Sequence, residues 1–271
     1  QNKATTANQQ IARAAGTVMF AYILSSIINL ARGIVILRAF GTGMENEAFW
    51  AANRVSETLF SLVAGGALAS AFVPTFTAFL AKKQSDKAWK LASSIINLVL
   101  VLISILAILA AIFAPTIVRY LLAPGFVDDP EKFNLTVQLL RIILPSTVIF
   151  SISGLVMGIL NAHQSFLFPA LAPSMYSLGM IFGVVFLSPQ MGIFGLAWGV
   201  VLGSLLHLLI QLPKLLRLGG KYSAIFGMDN PAVRQVGILM LPRLAGVAVV
   251  QINFWVNTNL ASRYSEGSVT G

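Results

Sequence analysis

Charge is absent from 14–31, 58–81, 91–118 and 244–262, and one uninterrupted charge-free run occupies 142–213. A helix needs about 20 apolar residues to cross the hydrocarbon core of a bilayer, so the last run must hold more than two crossings. Pro169, Pro173, Pro189 and Gly192 divide it. The pattern predicts seven helical spans near 16–40, 46–80, 86–114, 132–161, 166–188, 191–216 and 231–262, with a short interfacial helix over 115–123. Such runs are too long for barrel strands, and an open sheet would leave backbone groups unpaired in lipid. The expected fold is therefore all-α, a polytopic transmembrane helical bundle. The turn Ala123-Pro124-Gly125-Phe126, followed by Asp128, Asp129 and Pro130, predicts a connection outside the membrane with acids at the start of the next helix.

Composition sharpens this reading. Hydrophobic residues make up 57% of the chain and charged residues 10%, against about 45–50% and about 25% in soluble domains, so this is a membrane protein. The net charge of +9 raises nucleic acid as a partner, but the basic residues sit at the predicted membrane edges. Lys82, Lys83, Lys87 and Lys90 lie between the second and third spans, and Lys214, Arg217, Lys221 and Arg234 between the sixth and seventh. Glu45, Glu47, Asp128, Asp129 and Glu131 mark the opposite side. The excess of Lys and Arg places the two basic loops and the Lys3/Arg13 N-terminal segment in the cytoplasm. With no Cys, a disulfide framework and a thiolate metal site are excluded. No small-residue cleavage site follows the first apolar run, which would itself direct insertion.

Three charges interrupt the first two spans: Arg32, Arg54 and Glu57. A charge at mid-membrane costs at least ~2.5 kcal/mol and is normally held against a partner or a watery cavity. On the first span Tyr22, Ser25, Asn29 and Arg32 share one helical face, which is expected to line an interior cavity. Asn53 or Arg54, then Glu57 and Ser61, form a comparable stripe on the second span, and the two faces are expected to oppose each other across a central pocket. Arg54 and Glu57 are three apart and suited to an ion pair. Two readings stay open. Glu57 neutralises Arg54 as architecture, or it offsets Arg54 in an empty cavity where Arg32 and Arg54 engage an anionic substrate; the planar guanidinium fork suits phosphate.

Other polar positions are weaker candidates. Ala64-Gly65-Gly66-Ala67 fits either close helix packing or a bend that moves during transport. Arg141 is placed to snorkel, Arg243 follows Pro242 as a kink anchor or cavity residue, and Gln251, Asn253 and Asn257 fit bonding between helices. His163 and His207 read as packing residues. Paired carboxylates, metal-ligand spacing, a nucleophile elbow and a phosphate-binding Gly loop are all missing from the sequence, so neither catalysis nor a metal or cofactor is expected.

Phe40-Gly41-Thr42-Gly43-Met44 with Glu47-Ala48-Phe49, Gly66-Ala67 with Ala71-Phe72-Val73-Pro74, the Ala123–Phe126 turn, Gly158-Ile159-Leu160-Asn161 and Pro169-Ala170-Leu171-Ala172-Pro173 occur in order. Together with Gln211-Leu212-Pro213 and Asn257-Thr258, this series resembles the MurJ/MviN lipid II flippases of the multidrug/oligosaccharidyl-lipid/polysaccharide exporter superfamily. The resemblance implies two pseudo-symmetric lobes rocking about a central cationic cavity, with this chain as the first lobe plus the seventh span. Gln1 in place of an initiator Met fits a piece of a longer protein. The implied organisation is a cytoplasmic segment 1–15, a six-span lobe 16–217, a cytoplasmic loop 218–230, and the seventh span with the start of a second lobe, 231–271. Arg32, Ser25 and Arg54 fall on polar family positions, with Asn29 and Glu57 completing the expected substrate site. Glu47 falls on an acidic position at the outer end of the second span and joins Gly65 and Gly66 as a conformational candidate. Gly33, Ser26, Phe60 and Ser61 stand where the family carries charge.

The expected function is translocation of lipid II, a polyprenyl-pyrophosphate-linked peptidoglycan precursor, across the bacterial inner membrane by alternating access. A coupling ion or the membrane potential would drive it. A flippase for another lipid-linked oligosaccharide, an exporter of amphipathic cations and a non-transporting scaffold are the alternatives.

Overall fold

The computed structural model describes residues 2–61 and 71–262, with the side chains of 2–15, Thr17 and Arg243 outside the description. Its helices are α1 (Asn2–Phe40), α2 (Met44–Phe60), α3 (Val73–Ala81), α4 (Ser85–Ile112), α5 (Ala114–Thr116), α6 (Pro130–Ala162), α7 (Leu167–Phe182), α8 (Ser188–Met191), α9 (Ile193–Leu209), α10 (Leu212–Arg217) and α11 (Pro231–Ala261). Every regular element among the described residues is helical, as the hydropathy pattern requires.

Among the described residues, six stretches are long and apolar enough to cross a membrane: Val18–Phe40, Ser85–Ile112, Pro130–Ala162, Leu167–Met191, Ile193–Arg217 and Pro231–Ala261. They correspond to six of the seven predicted spans. The described parts of the other span, predicted over 46–80, are α2 and α3, with wide π-type turns at Ser61 and at Ala71 and Phe72. Gly65 and Gly66 lie outside the described residues. The predicted interfacial helix over 115–123 is a short α5 running into a π-type turn, Ile117–Leu122. The sixth span is broken between α9 and α10, where Pro213 cannot donate a backbone hydrogen bond to the preceding turn.

Helix α6 is the centre of the bundle, packed against α2, α4 and α9. One apolar cluster joins Phe49, Ala52, Leu140, Ile143, Leu196 and Val200. A second joins Phe72, Phe76, Trp89, Ile95, Leu155 and Ile159. Asp129 starts α6 by accepting from the backbone N–H groups of Glu131 and Lys132, both at 3.1 Å, which meets the expectation that the acids cap this helix. Asn230 does the same for α11 through Ala232 N–H at 3.0 Å.

Helices α7 and α9 approach closely because Gly179 and Gly183 face Gly195, Gly199 and Gly203. Small residues four apart let backbones meet where hydrophobic attraction between helices is absent. A Cβ built on Gly203 would stand 2.5 Å from the Tyr176 carbonyl oxygen. Gly192, at φ +57 and ψ −141, makes the turn between α8 and α9 in a region that side-chain-bearing residues avoid.

The connection 218–230 lies along α4 as a strap. Asn97 Nδ2 donates to the carbonyls of Ser223 (3.2 Å) and Ile225 (2.8 Å), and the Tyr222 hydroxyl donates to Asn97 Oδ1 at 2.6 Å. Arg141, a candidate for snorkelling, is exposed and donates from Nε to the Ala111 carbonyl at 3.0 Å. A cation there meets the partial negative charge at the end of α4.

Candidate functional site

The polar stripe of α1 divides when the bundle forms. Tyr22 is exposed, whereas Ser25 is buried. Ser25 Oγ donates to the Ala21 carbonyl (2.8 Å), with Ser174 Oγ at 2.5 Å and the Ala170 carbonyl at 3.1 Å on α7. One turn on, Asn29 Oδ1 accepts from Ser177 Oγ at 2.5 Å. The stripe is thus a seam between α1 and α7, and the sequence-based picture of two stripes facing each other across an empty pocket does not hold for Ser25 and Asn29. Such bonds are worth roughly 0.6 kcal/mol each in a membrane, because the unfolded alternative also finds partners.

Arg32 is different. Its Nη1 meets only a neutral hydroxyl, Ser177 Oγ at 3.4 Å, and the Met180 sulfur at 3.9 Å, while its guanidinium lies 6.0 Å from the Tyr176 ring centroid. Its Nε is buried with no acceptor among the described residues. Among the described residues no carboxylate stands within ion-pair distance of Arg32.

On α2, Glu57 has both oxygens occupied. Asn53 Nδ2 donates to Oε1 at 2.9 Å and Arg54 Nη1 to Oε2 at 3.1 Å. The pair is half-exposed. Arg54 also lies over the Phe254 ring of α11 at 5.3 Å, and its Nε is likewise buried without an acceptor among the described residues. Tyr176 of α7 is the aromatic ring beside Arg32, as Phe254 of α11 is beside Arg54. Glu57 therefore pairs with Arg54 and not with Arg32, and each guanidinium keeps an Nε donor with no acceptor among the described residues.

Glu47 is remote from this group. It is buried in an ion pair with Lys132 that ties α2 to the start of α6, and the Lys132 ammonium lies 4.1 Å from the Phe126 ring centroid. His207 is buried, with Nδ1 2.6 Å from Ser153 Oγ; Gln211 Nε2 donates to the same Ser153 oxygen at 2.8 Å. His163 packs against Trp89 and Phe76. Both histidines are packing residues, as their surroundings in the sequence suggested.

Sequence reasoning did not find Tyr176, Ser177, Phe254 or Lys132. A signal existed for two of them, Ser177 and Lys132: Ser174 and Ser177, three apart, share one face of α7, as Ser25 and Asn29, four apart, share one face of α1. Lys132 sits in the first turn of α6, where a cation opposes the helix dipole and calls for an acidic partner.

A bundle with six helices long and apolar enough to cross a bilayer among its described residues has the architecture of a multi-pass membrane protein. That architecture is shared with a multidrug resistance MATE family transporter of the MOP superfamily in its inward-facing conformation: TM-score 0.72 at 19% identity, covering 90% of this chain and 55% of that one. The chain belongs to the lipid II flippase MurJ family, whose family model matches residues 36–271. Among curated relatives, lipid II flippase MurJ of Burkholderia cenocepacia is 32% identical over 264 residues, which are 95% of this chain and 51% of that protein. A solved lipid II flippase MurJ in an inward closed conformation superposes with TM-score 0.77 at 28% identity, covering 93% of this chain and 52% of that one. The chain spans about half the length of the curated relatives it matches.

Proposed function

We propose that this chain supplies the first lobe and seventh helix of a flippase that carries lipid II across the bacterial inner membrane, with the N-terminus in the cytoplasm. The observation that carries the reading is the pair of arginines, Arg32 and Arg54, each with a buried Nε that has no partner among the described residues. A buried donor without an acceptor is costly, and an incoming diphosphate satisfies both guanidinium groups while taking over the charge balance now provided by Glu57. Guanidinium groups suit this ligand because they donate paired hydrogen bonds to phosphate oxygens. Asn29 positions Arg32 through Ser177, and Ser25 fixes the same seam. The Lys132–Glu47 pair holds the outer end of α2, and bending near Gly65 and Gly66 accommodates the change between inward and outward states.

Relatives named as lipid II flippases support this substrate over other lipid-linked glycans. Glu57 favours a second reading, a related carrier for a less highly charged lipid-linked sugar, because it lowers the positive charge of the site. In the full-length protein, Arg32→Ala is expected to abolish rescue of cells depleted of their own lipid II flippase; undiminished rescue at normal expression removes Arg32 from the mechanism. Competition between lipid II and other lipid-linked sugars for the purified protein separates the two readings.

A further inference from the structure

Arg54 is held from two helices, and only one of them is its own. On α2 its Nη1 donates to Glu57 Oε2 at 3.1 Å. From α11 the Phe254 ring faces the guanidinium, with 5.3 Å to the ring centroid. Such a ring face attracts a guanidinium, and more strongly where water is scarce. Arg54 thus lies between a carboxylate carried by α2 and a ring carried by α11, so its placement depends on where α11 stands.

Apolar packing does little to fix that stance. Val249, Val250, Ile252 and Val256 of α11 are all exposed. A polar node holds the helix instead, four residues along α2 from Arg54. Trp255 Nε1 donates to Thr58 Oγ1 at 2.7 Å. The buried Thr58 hydroxyl has one proton and two acceptors within reach, the Arg54 carbonyl at 2.8 Å and Gln251 Oε1 at 3.2 Å. Gln251 and Trp255, four apart, share one face of α11 and meet the same oxygen. An indole N–H that loses its acceptor in such surroundings is left unpaired at a cost, so the node resists both rotation and sliding of α11. It adjoins the guanidinium on each helix: Thr58 lies one turn beyond Arg54, and Trp255 is next to Phe254.

We infer that Trp255 and Thr58 are positioning residues for Arg54: the bond between them sets the rotation and height of α11, which places the Phe254 ring against the guanidinium and keeps its fork aimed at the incoming diphosphate. This rests on the reading of Arg54 as a diphosphate ligand. Neither Trp255 nor Thr58 has to touch the phosphates. Any displacement of α11 that parts Trp255 from Thr58 also withdraws Phe254 from Arg54, so the hold on the anion and the docking of α11 on α2 are linked. The linkage runs both ways, and a bound anion favours the docked helix.

Equilibrium binding of lipid II to the full-length protein in nanodiscs tests this, in a cycle that combines Trp255→Phe with Arg54→Lys. Phenylalanine keeps an aromatic wall and removes the N–H; lysine keeps the charge and removes the fork. Trp255→Phe is expected to weaken binding about fivefold, the worth of one typical hydrogen bond. Thr58→Val, which removes the acceptor, is expected to do the same. In the Arg54→Lys background Trp255→Phe is expected to cost nothing further, because no fork remains to be placed. Unchanged binding in both Trp255→Phe and Thr58→Val overturns the inference, and so does an equal further loss in Arg54→Lys; in either case the arginine site stands. A second readout needs no residual affinity in the lysine variant: saturating lipid II is expected to slow hydrogen exchange of the Trp255 indole N–H in the unsubstituted protein, and exchange that lipid II leaves unaltered also overturns the inference. Binding by Arg54→Gln at the unsubstituted level overturns the diphosphate reading of Arg54, and the positioning role falls with it.

Discussion

Arg54 Nη1 lies 3.1 Å from Glu57 Oε2, yet Arg54 Nε is buried with no acceptor among the described residues. The ion pair restrains the guanidinium without exhausting it. Part of its hydrogen-bonding capacity is left for another anion.

Removing the acid should therefore strengthen binding of an anionic headgroup. Glu57→Gln retains the bond from Asn53 and removes the charge. Because the pair is half-exposed and screened by water, the gain is expected to be roughly fivefold in affinity, on the order of 1 kcal/mol. Equilibrium binding of lipid II to the full-length protein measures it; weaker binding would show that Glu57 touches the substrate favourably.

The Glu47–Lys132 pair behaves differently because both side chains are buried. Glu47→Ala alone strands the ammonium and should cost about 3–5 kcal/mol, whereas replacing both partners with apolar residues should recover most of that loss. Thermal unfolding of the full-length protein and its single and double variants provides the cycle. A double variant whose loss equals the sum of the two single losses would show that the pair adds nothing by its coupling.

Gly203 links bundle packing to the site. A side chain there meets the Tyr176 carbonyl at 2.5 Å and the Tyr176 ring at 3.0 Å, so Gly203→Val should lower stability by ~1–3 kcal/mol through overpacking. It should also weaken headgroup binding by displacing the ring beside Arg32. Gly237→Ala, where a Cβ meets nothing within 4 Å, is the neutral control. Unchanged binding in Gly203→Val would detach Tyr176 from the site.

Hydropathy alone made six of the spans legible, because the membrane imposes a length and an apolar composition on each crossing. Partnership between distant residues was harder to read. The spacing of Ser25, Asn29 and Arg32 fixed their common face but not its neighbour; the neighbour is α7, whose Ser174 and Ser177 lie about 145 positions away. Glu47 and Lys132 are separated by 85 positions, and their pairing depends on how α6 returns past α2. The bond from Arg141 to the Ala111 carbonyl was hidden for the same reason, since 30 positions separate the two residues. The pair three apart on one helix, Arg54 and Glu57, was readable because helix geometry alone brings it together.

The central claim is that Arg32 and Arg54 bind the diphosphate of a lipid-linked substrate. Proteoliposomes containing the full-length protein, loaded with fluorescent lipid II and scored for its arrival at the opposite leaflet, test it most directly. With Arg32→Gln and Arg54→Gln combined, the account predicts loss of both lipid II binding and translocation while the unfolding temperature is retained; translocation at the unsubstituted rate would contradict it.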